Sequence, residues 1–81
     1  KREYVIGKNS SAVDGVITFN RMISRIHCKV VNDNGMYSIE DLKSANGTYV
    51  NQVRLQPNRP HPIKNGDIVR LANSDFQILI N

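Results

Sequence analysis

No window of this sequence places apolar residues three and four apart over the length of a helix. Short runs of β-branched and aromatic residues recur instead, between clusters of Gly, Asn, Asp and Pro. That property restricts the chain to strands and turns. Eight candidate strands follow: Glu3 to Gly7, Gly15 to Phe19, Ile26 to Asn32, Met36 to Asp41, Thr48 to Val50, Val53 to Leu55, Ile68 to Leu71 and Phe76 to Ile80. So many short strands in 81 residues predict an all-β sandwich or barrel, and the length suffices for one core but not two.

The breaks carry turn chemistry. Asp33-Asn34-Gly35 supplies the positive φ angles of a tight hairpin, Asn51-Gln52 suits a second, and Asn65-Gly66-Asp67 reads as a turn feeding the strand at Ile68. Pro57, Pro60 and Pro62 each remove a ladder donor, so the stretch from Gln56 to Lys64 is predicted as an edge or a loop. Alternation sets Ile26, Cys28 and Val30 on one face and His27, Lys29 and Val31 on the other. The other predicted core residues are Ile6, Ile17, Phe19, Tyr37, Ile39, Val50, Leu55, Ile68, Leu71, Phe76, Ile78 and Ile80.

A single cysteine, Cys28, excludes an internal disulfide and any Cys/His metal spacing, so no metal or cofactor is expected and a reducing, intracellular setting is favoured. The start at Lys1-Arg2-Glu3-Tyr4 has no apolar signal region, and no apolar run approaches the roughly 20 residues that cross a bilayer. Eleven basic residues against seven acidic ones give a net charge of +4, which suits phosphate, nucleic acid or acidic peptide. The cations are scattered singly, however, as on an ordinary solvated surface and unlike a nucleic-acid arm.

Unusual polar residues gather in three predicted loops, Gly7 to Asn9, Met22 to His27 and Asp41 to Asn51. Ser24, Arg25, Ser44 and Asn46-Gly47-Thr48 offer hydroxyl, guanidinium and amide donors there. Phosphate needs such convergent donors, because each of its oxygens loses water on binding. Ser24 and Ser44 equally suit bonds to local backbone, and Asn46-Gly47 suits a plain tight turn. Asp41 reads as an acceptor for loop N–H groups. His27 lies inside a strand pattern with no carboxylate beside it, and His61 lies among the prolines, so no catalytic set is expected.

Taken in order, Ile6-Gly7-Lys8, Ser24-Arg25-Ile26-His27, Asp41 through Asn51 and Asn65-Gly66-Asp67-Ile68 resemble the signature of the forkhead-associated (FHA) domain family. The likeness runs from Tyr4 to Ile80. It implies a single FHA domain over residues 1–81, built as a sandwich of two twisted antiparallel β-sheets with ligand loops at one end. Family domains have more strands than are read here, so a first strand is expected to be missing or truncated.

The resemblance further implies a module that binds phosphothreonine in a partner protein and docks its parent protein in kinase-dependent signalling. By position, Lys8, Ser24 and Arg25 meet the phosphate or nearby peptide and Asn46 holds the peptide main chain. Gly7, His27, Asp41, Ser44, Gly47, Thr48 and Asn51 shape the fold around them. Two positions depart from the pattern. Lys8 stands where the family has Arg, keeping the charge but losing the planar fork, and Ala45 lacks the hydroxyl often found before the loop Asn.

Two other functions are open to the sequence. One is a phosphate-independent interaction or oligomerisation domain, separable by titrating paired phosphorylated and unphosphorylated peptides. The other is a basic barrel for single-stranded nucleic acid, which needs exposed aromatic platforms, whereas Tyr4, Phe19, Tyr37, Tyr49 and Phe76 are mostly wanted for the core. The expected partner is a phosphothreonine protein, with no nucleic acid or membrane, and the chain is expected to act as a monomeric domain of a larger protein.

Overall fold

The computed structural model describes residues 2–80; Lys1 and Asn81 lie outside the described residues, and the first strand expected to be missing or truncated falls before them. Among the described residues nine strands form two sheets: β1 (Glu3–Gly7), β2 (Gly15–Val16), β3 (Cys28–Asp33), β4 (Met36–Asp41), β5 (Thr48–Val50), β6 (Val53–Arg54), β7 (His61–Ile63), β8 (Ile68–Leu71) and β9 (Ser74–Gln77). One sheet runs β2-β1-β3-β4-β7 and the other β6-β5-β8-β9. All pairings are antiparallel except β1 with β2.

Turn chemistry fixes the register. Asp33 pairs with Met36, so Asn34 and Gly35 form a two-residue turn with φ of 55° and 85°, and the Gly35 N–H donates to Asn32 Oδ1 at 2.9 Å. Val50 pairs with Val53 around Asn51 and Gln52, also at positive φ. Asn51 fastens that hairpin to the next strand: its Nδ2 donates to Asp67 at 3.1 Å and its Oδ1 accepts the Ile68 N–H at 3.0 Å. The proline stretch is a loop as far as Pro60 and then an edge strand, with Pro62 opposite Ser38.

The core holds Ile23, Cys28, Ile39, Val50, Leu55, Ile63, Val69, Leu71 and Ala72, with Ile6, Ile17, Val30, Tyr37, Phe76 and Ile78 packed against it. Three predicted core residues are exposed instead. Ile26 precedes β3, in a turn that breaks the alternation, so His27 and Cys28 are both buried while Ile26 is not. Ile68 points outward because the two-residue period of β8 pairs Val69 with Leu71 on the inner face. Phe19 lies beyond the short β2 and rests on Phe76, ring centroids 6.1 Å apart. Ile80 is half-buried outside the cluster, since β9 spans Ser74–Gln77.

Burial pushes the Cys28 thiol up to about 12, and the nearby Asp41 charge adds to the shift. The thiolate is the reactive form. In native protein at neutral pH, Cys28 should therefore ignore a disulfide reagent and react only at the rate of unfolding; prompt colour with Ellman's reagent would contradict the packing.

Candidate functional site

Three loops meet at one end of the sandwich, and backbone bonds tie them together. Lys8 N–H donates to the Ser24 carbonyl and Asn9 N–H to the Arg25 carbonyl, both at 3.1 Å, and His27 N–H donates to the Ile6 carbonyl at 2.8 Å. Such close approach explains Gly7, which is buried: a methyl group there would overlap the Arg25 carbonyl. The end of β1 and the segment before β3 thus hold Lys8, Ser24 and Arg25 in one place.

His27 joins that segment to the β4–β5 loop. It is fully buried, its Nδ1 accepting the Ser24 N–H at 3.0 Å and its Nε2 facing the Gly47 carbonyl at 2.8 Å. Because Nδ1 can only accept from a backbone N–H, the ring proton must reside on Nε2 and be donated to Gly47. Burial lowers the pKa of His27 from 6.5, against the opposite pull of the Gly47 carbonyl and of Asp41. A neutral ring with both nitrogens engaged is a brace, with no capacity left to act as a base.

The β4–β5 loop is shaped from within by Asp41, which is buried. Its Oδ1 accepts the Ser44 hydroxyl at 2.5 Å and the Thr48 hydroxyl at 2.7 Å, and its Oδ2 accepts the Ser44 N–H at 3.2 Å. Ser44 Oγ then accepts the Gly47 N–H at 3.0 Å. Gly47 has a φ of +89°, a left-handed conformation in which a side chain would be strained and would strike the Arg54 guanidinium. The carboxylate thereby stands in for backbone partners that a turn this tight cannot supply.

Side chains close the remaining gaps. Ser24 Oγ accepts the Ala45 N–H at 3.0 Å, Asn46 Nδ2 donates to the Met22 carbonyl at 2.8 Å, and Lys8 Nζ donates to the Arg21 carbonyl at 2.9 Å. Lys8, Ser24, Ala45 and Asn46 are so drawn to one surface, with Arg25 exposed beside Ser24. Asn51 is not part of it, lying past the far end of β5 from Gly47. A surface concavity also lies elsewhere, on the outer face of the β5, β8 and β9 sheet around Tyr49, Ile68 and Arg70, and it holds none of the loop donors.

Sequence reasoning passed over Arg54, whose guanidinium lies on Gly47 and 5.8 Å from the centre of the Tyr49 ring. A two-residue turn at Asn51-Gln52 places Arg54 directly opposite Tyr49, so the hairpin register was the available signal.

Comparison with known proteins agrees with this architecture. The family model described as FHA domain matches residues 4–72. The chain is 34% identical over 68 residues to the probable E3 ubiquitin-protein ligase dma1 of Schizosaccharomyces pombe, covering 79% of this chain and 26% of that protein. The chain therefore spans about a quarter of the length of that curated relative. Among solved structures, Mycobacterium tuberculosis EmbR in complex with a low-affinity phosphopeptide superposes with a TM-score of 0.85 at 28% identity, over 98% of this chain and 20% of that one. The MEK1 FHA domain in complex with the HOP1 pThr318 peptide superposes with a TM-score of 0.84 at 28% identity, over 99% and 81%.

Proposed function

Because the chain belongs to the FHA domain family, we propose that its loop end binds phosphothreonine in a partner protein and docks a larger parent protein to it in kinase-dependent signalling. The observation that carries this reading is the state of Ser24. Its oxygen is already occupied as an acceptor by the Ala45 N–H, so its own proton is free to be donated outward, as a phosphate oxygen requires.

The other donors fit the same ligand. Lys8 has spent one of three ammonium protons on the Arg21 carbonyl, and Arg25 is exposed beside Ser24. Asn46 has spent one amide proton on Met22, leaving an N–H and the carbonyl for a peptide main chain. Ala45 offers its methyl only. Gly7, His27, Asp41, Ser44, Gly47 and Thr48 hold these groups in place, and the function needs no chemical step. Binding peptides solved on the MEK1 and EmbR relatives lend the ligand class.

Ser24→Ala tests the assignment. A hydrogen bond to a charged group contributes about 1.5–3 kcal/mol, so phosphothreonine-peptide affinity should fall roughly ten- to a hundredfold. The melting midpoint should move by only a few degrees, since one neutral bond at the surface is lost. Unchanged affinity in calorimetry would remove Ser24, and with it the proposed phosphate site.

A further inference from the structure

The net charge of +4 is unevenly placed. Among the described residues, cations away from the loops are matched: Arg2 with Asp33, Lys29 with Glu3, Lys64 with Asp67 and Arg70 with Asp75, at 2.8 to 3.7 Å. Lys8, Arg21, Arg25, Lys43, Arg54 and Arg59 form no ion pair among the described residues, and all lie on or beside the loop end. The carboxylates on the same loops are already committed, Asp41 to Ser44 and Thr48 and Asp14 to the Val5 N–H at 2.9 Å.

One phosphate brings close to two negative charges, which Lys8 and Arg25 match. A second group of cations stays unneutralised on the other flank of the β4–β5 loop. Lys43 is in that loop, Arg54 lies on Gly47, and Arg59 follows Asn58, whose N–H donates to the Asp41 carbonyl at 2.7 Å. Arg54 and Arg59 line one shallow groove together with Pro60 and His61. We infer that this flank is a second anionic subsite, which takes the acidic side chains, or a second phosphate, of the segment adjoining the phosphothreonine.

The inference rests on the phosphothreonine reading and adds a requirement on the ligand's sequence. Unneutralised like charges repel one another and draw opposite charge to the site. Single exposed pairs are weak, but three acting on one short segment amount to about a tenfold gain in affinity. A nucleic acid fits less well, because Arg54 covers the ring of Tyr49, leaving that face unavailable for base stacking.

Fluorescence anisotropy decides the matter with labelled phosphothreonine peptides whose flanks are neutral, acidic on the N-terminal side, acidic on the C-terminal side, or carry a second phosphoserine. An acidic or phosphorylated flank on one side should bind about tenfold more tightly than the neutral peptide. Lys43→Gln/Arg59→Gln should abolish that gain and leave neutral-flank affinity unchanged, and Arg54→Gln should reduce it, with melting curves recorded for both variants. The inference is overturned if no flank gives a gain, if the gain survives both variants, or if a single-stranded oligonucleotide outcompetes the acidic phosphopeptide. Equal binding of the neutral peptide with and without its phosphate would instead strike the phosphothreonine reading itself, and the inference with it.

Discussion

A peptide carrying phosphothreonine will bind this chain at least about a hundredfold more tightly than the same peptide with plain threonine. The unmodified hydroxyl gives Lys8 and Arg25 no anion to meet and the free proton of Ser24 no charged acceptor. Each hydrogen bond to a charged group contributes about 1.5–3 kcal/mol, and two or three, less the cost of stripping water from the phosphate, leave roughly 3–4 kcal/mol. Because the cations are at the surface, the preference will shrink as ionic strength rises and the Debye length falls below about 10 Å. Calorimetry of the peptide pair at two salt concentrations measures both effects. Equal affinities would mean a domain that associates with its partners by other means.

His27→Ala will lower the stability of the fold by about 3–4 kcal/mol, through the cavity it leaves and the two buried bonds it breaks. For a domain of this size that lowers the melting midpoint by roughly 10 °C or more. The Ser24 N–H and the Gly47 carbonyl would both lose their partner, so the Ser24 segment and the β4–β5 loop would part even in molecules that stay folded. Acid should act in the same direction. Burial holds His27 below its ordinary 6.5, so below that pH the unfolded chain takes up a proton that the folded chain refuses. Its contribution is complete above pH 6.5 and is lost as the pH falls toward the lower folded value. A second loss follows further down, because the Lys64 N–H, Asn51 and the Lys64 ammonium hold Asp67 at about 2, against an ordinary 3.8. Melting curves from pH 7 to pH 5 on the wild type and His27→Ala separate the two, since only the wild type should lose stability over that interval through this ring. An unaltered melting curve with binding abolished would make His27 a ligand group and not a brace.

Much of the fold could be read from local chemistry, and the failures have local causes. β1, β4, β5 and β8 have the predicted bounds, and turns with specific residues, such as Asn34-Gly35 before β4 and Asn51-Gln52 after β5, account for two of them. Strands that end in irregular loops were misjudged: β2 stops at Val16, β3 starts at Cys28, and β9 starts at Ser74. The proline stretch, expected as an edge or a loop, contains both, and Pro62 is tolerable in β7 only because an edge strand has one side free of partners. Setting His27 on the face opposite Cys28 assumes continuous pleating, whereas tertiary bonds to Ile6 and Gly47 override it and bury both residues. At the loop end, residue types and spacing point to Lys8, Ser24, Arg25 and Asn46, which the structure brings to one surface. Spacing alone does not reveal that Ser24 is filled on its acceptor side, that Asn46 and Lys8 each reach a carbonyl of the Arg21-Met22 turn, or that Arg54 backs Gly47.

The loops are fastened to one another before any ligand arrives, by the side-chain bonds of Lys8, Ser24, His27 and Asn46 and by the backbone bonds that join the end of β1 to the segment before β3. Their conformational entropy is given up at folding and not at the moment of recognition, so association has little rearrangement to wait for. Selectivity among partners is then expressed in how long each stays bound. The same arrangement has a cost in evolution. A substitution that loosens the hidden bracing of His27 or Asp41 slackens the binding surface without touching a ligand, so the interior of this small sandwich is as constrained by recognition as its rim.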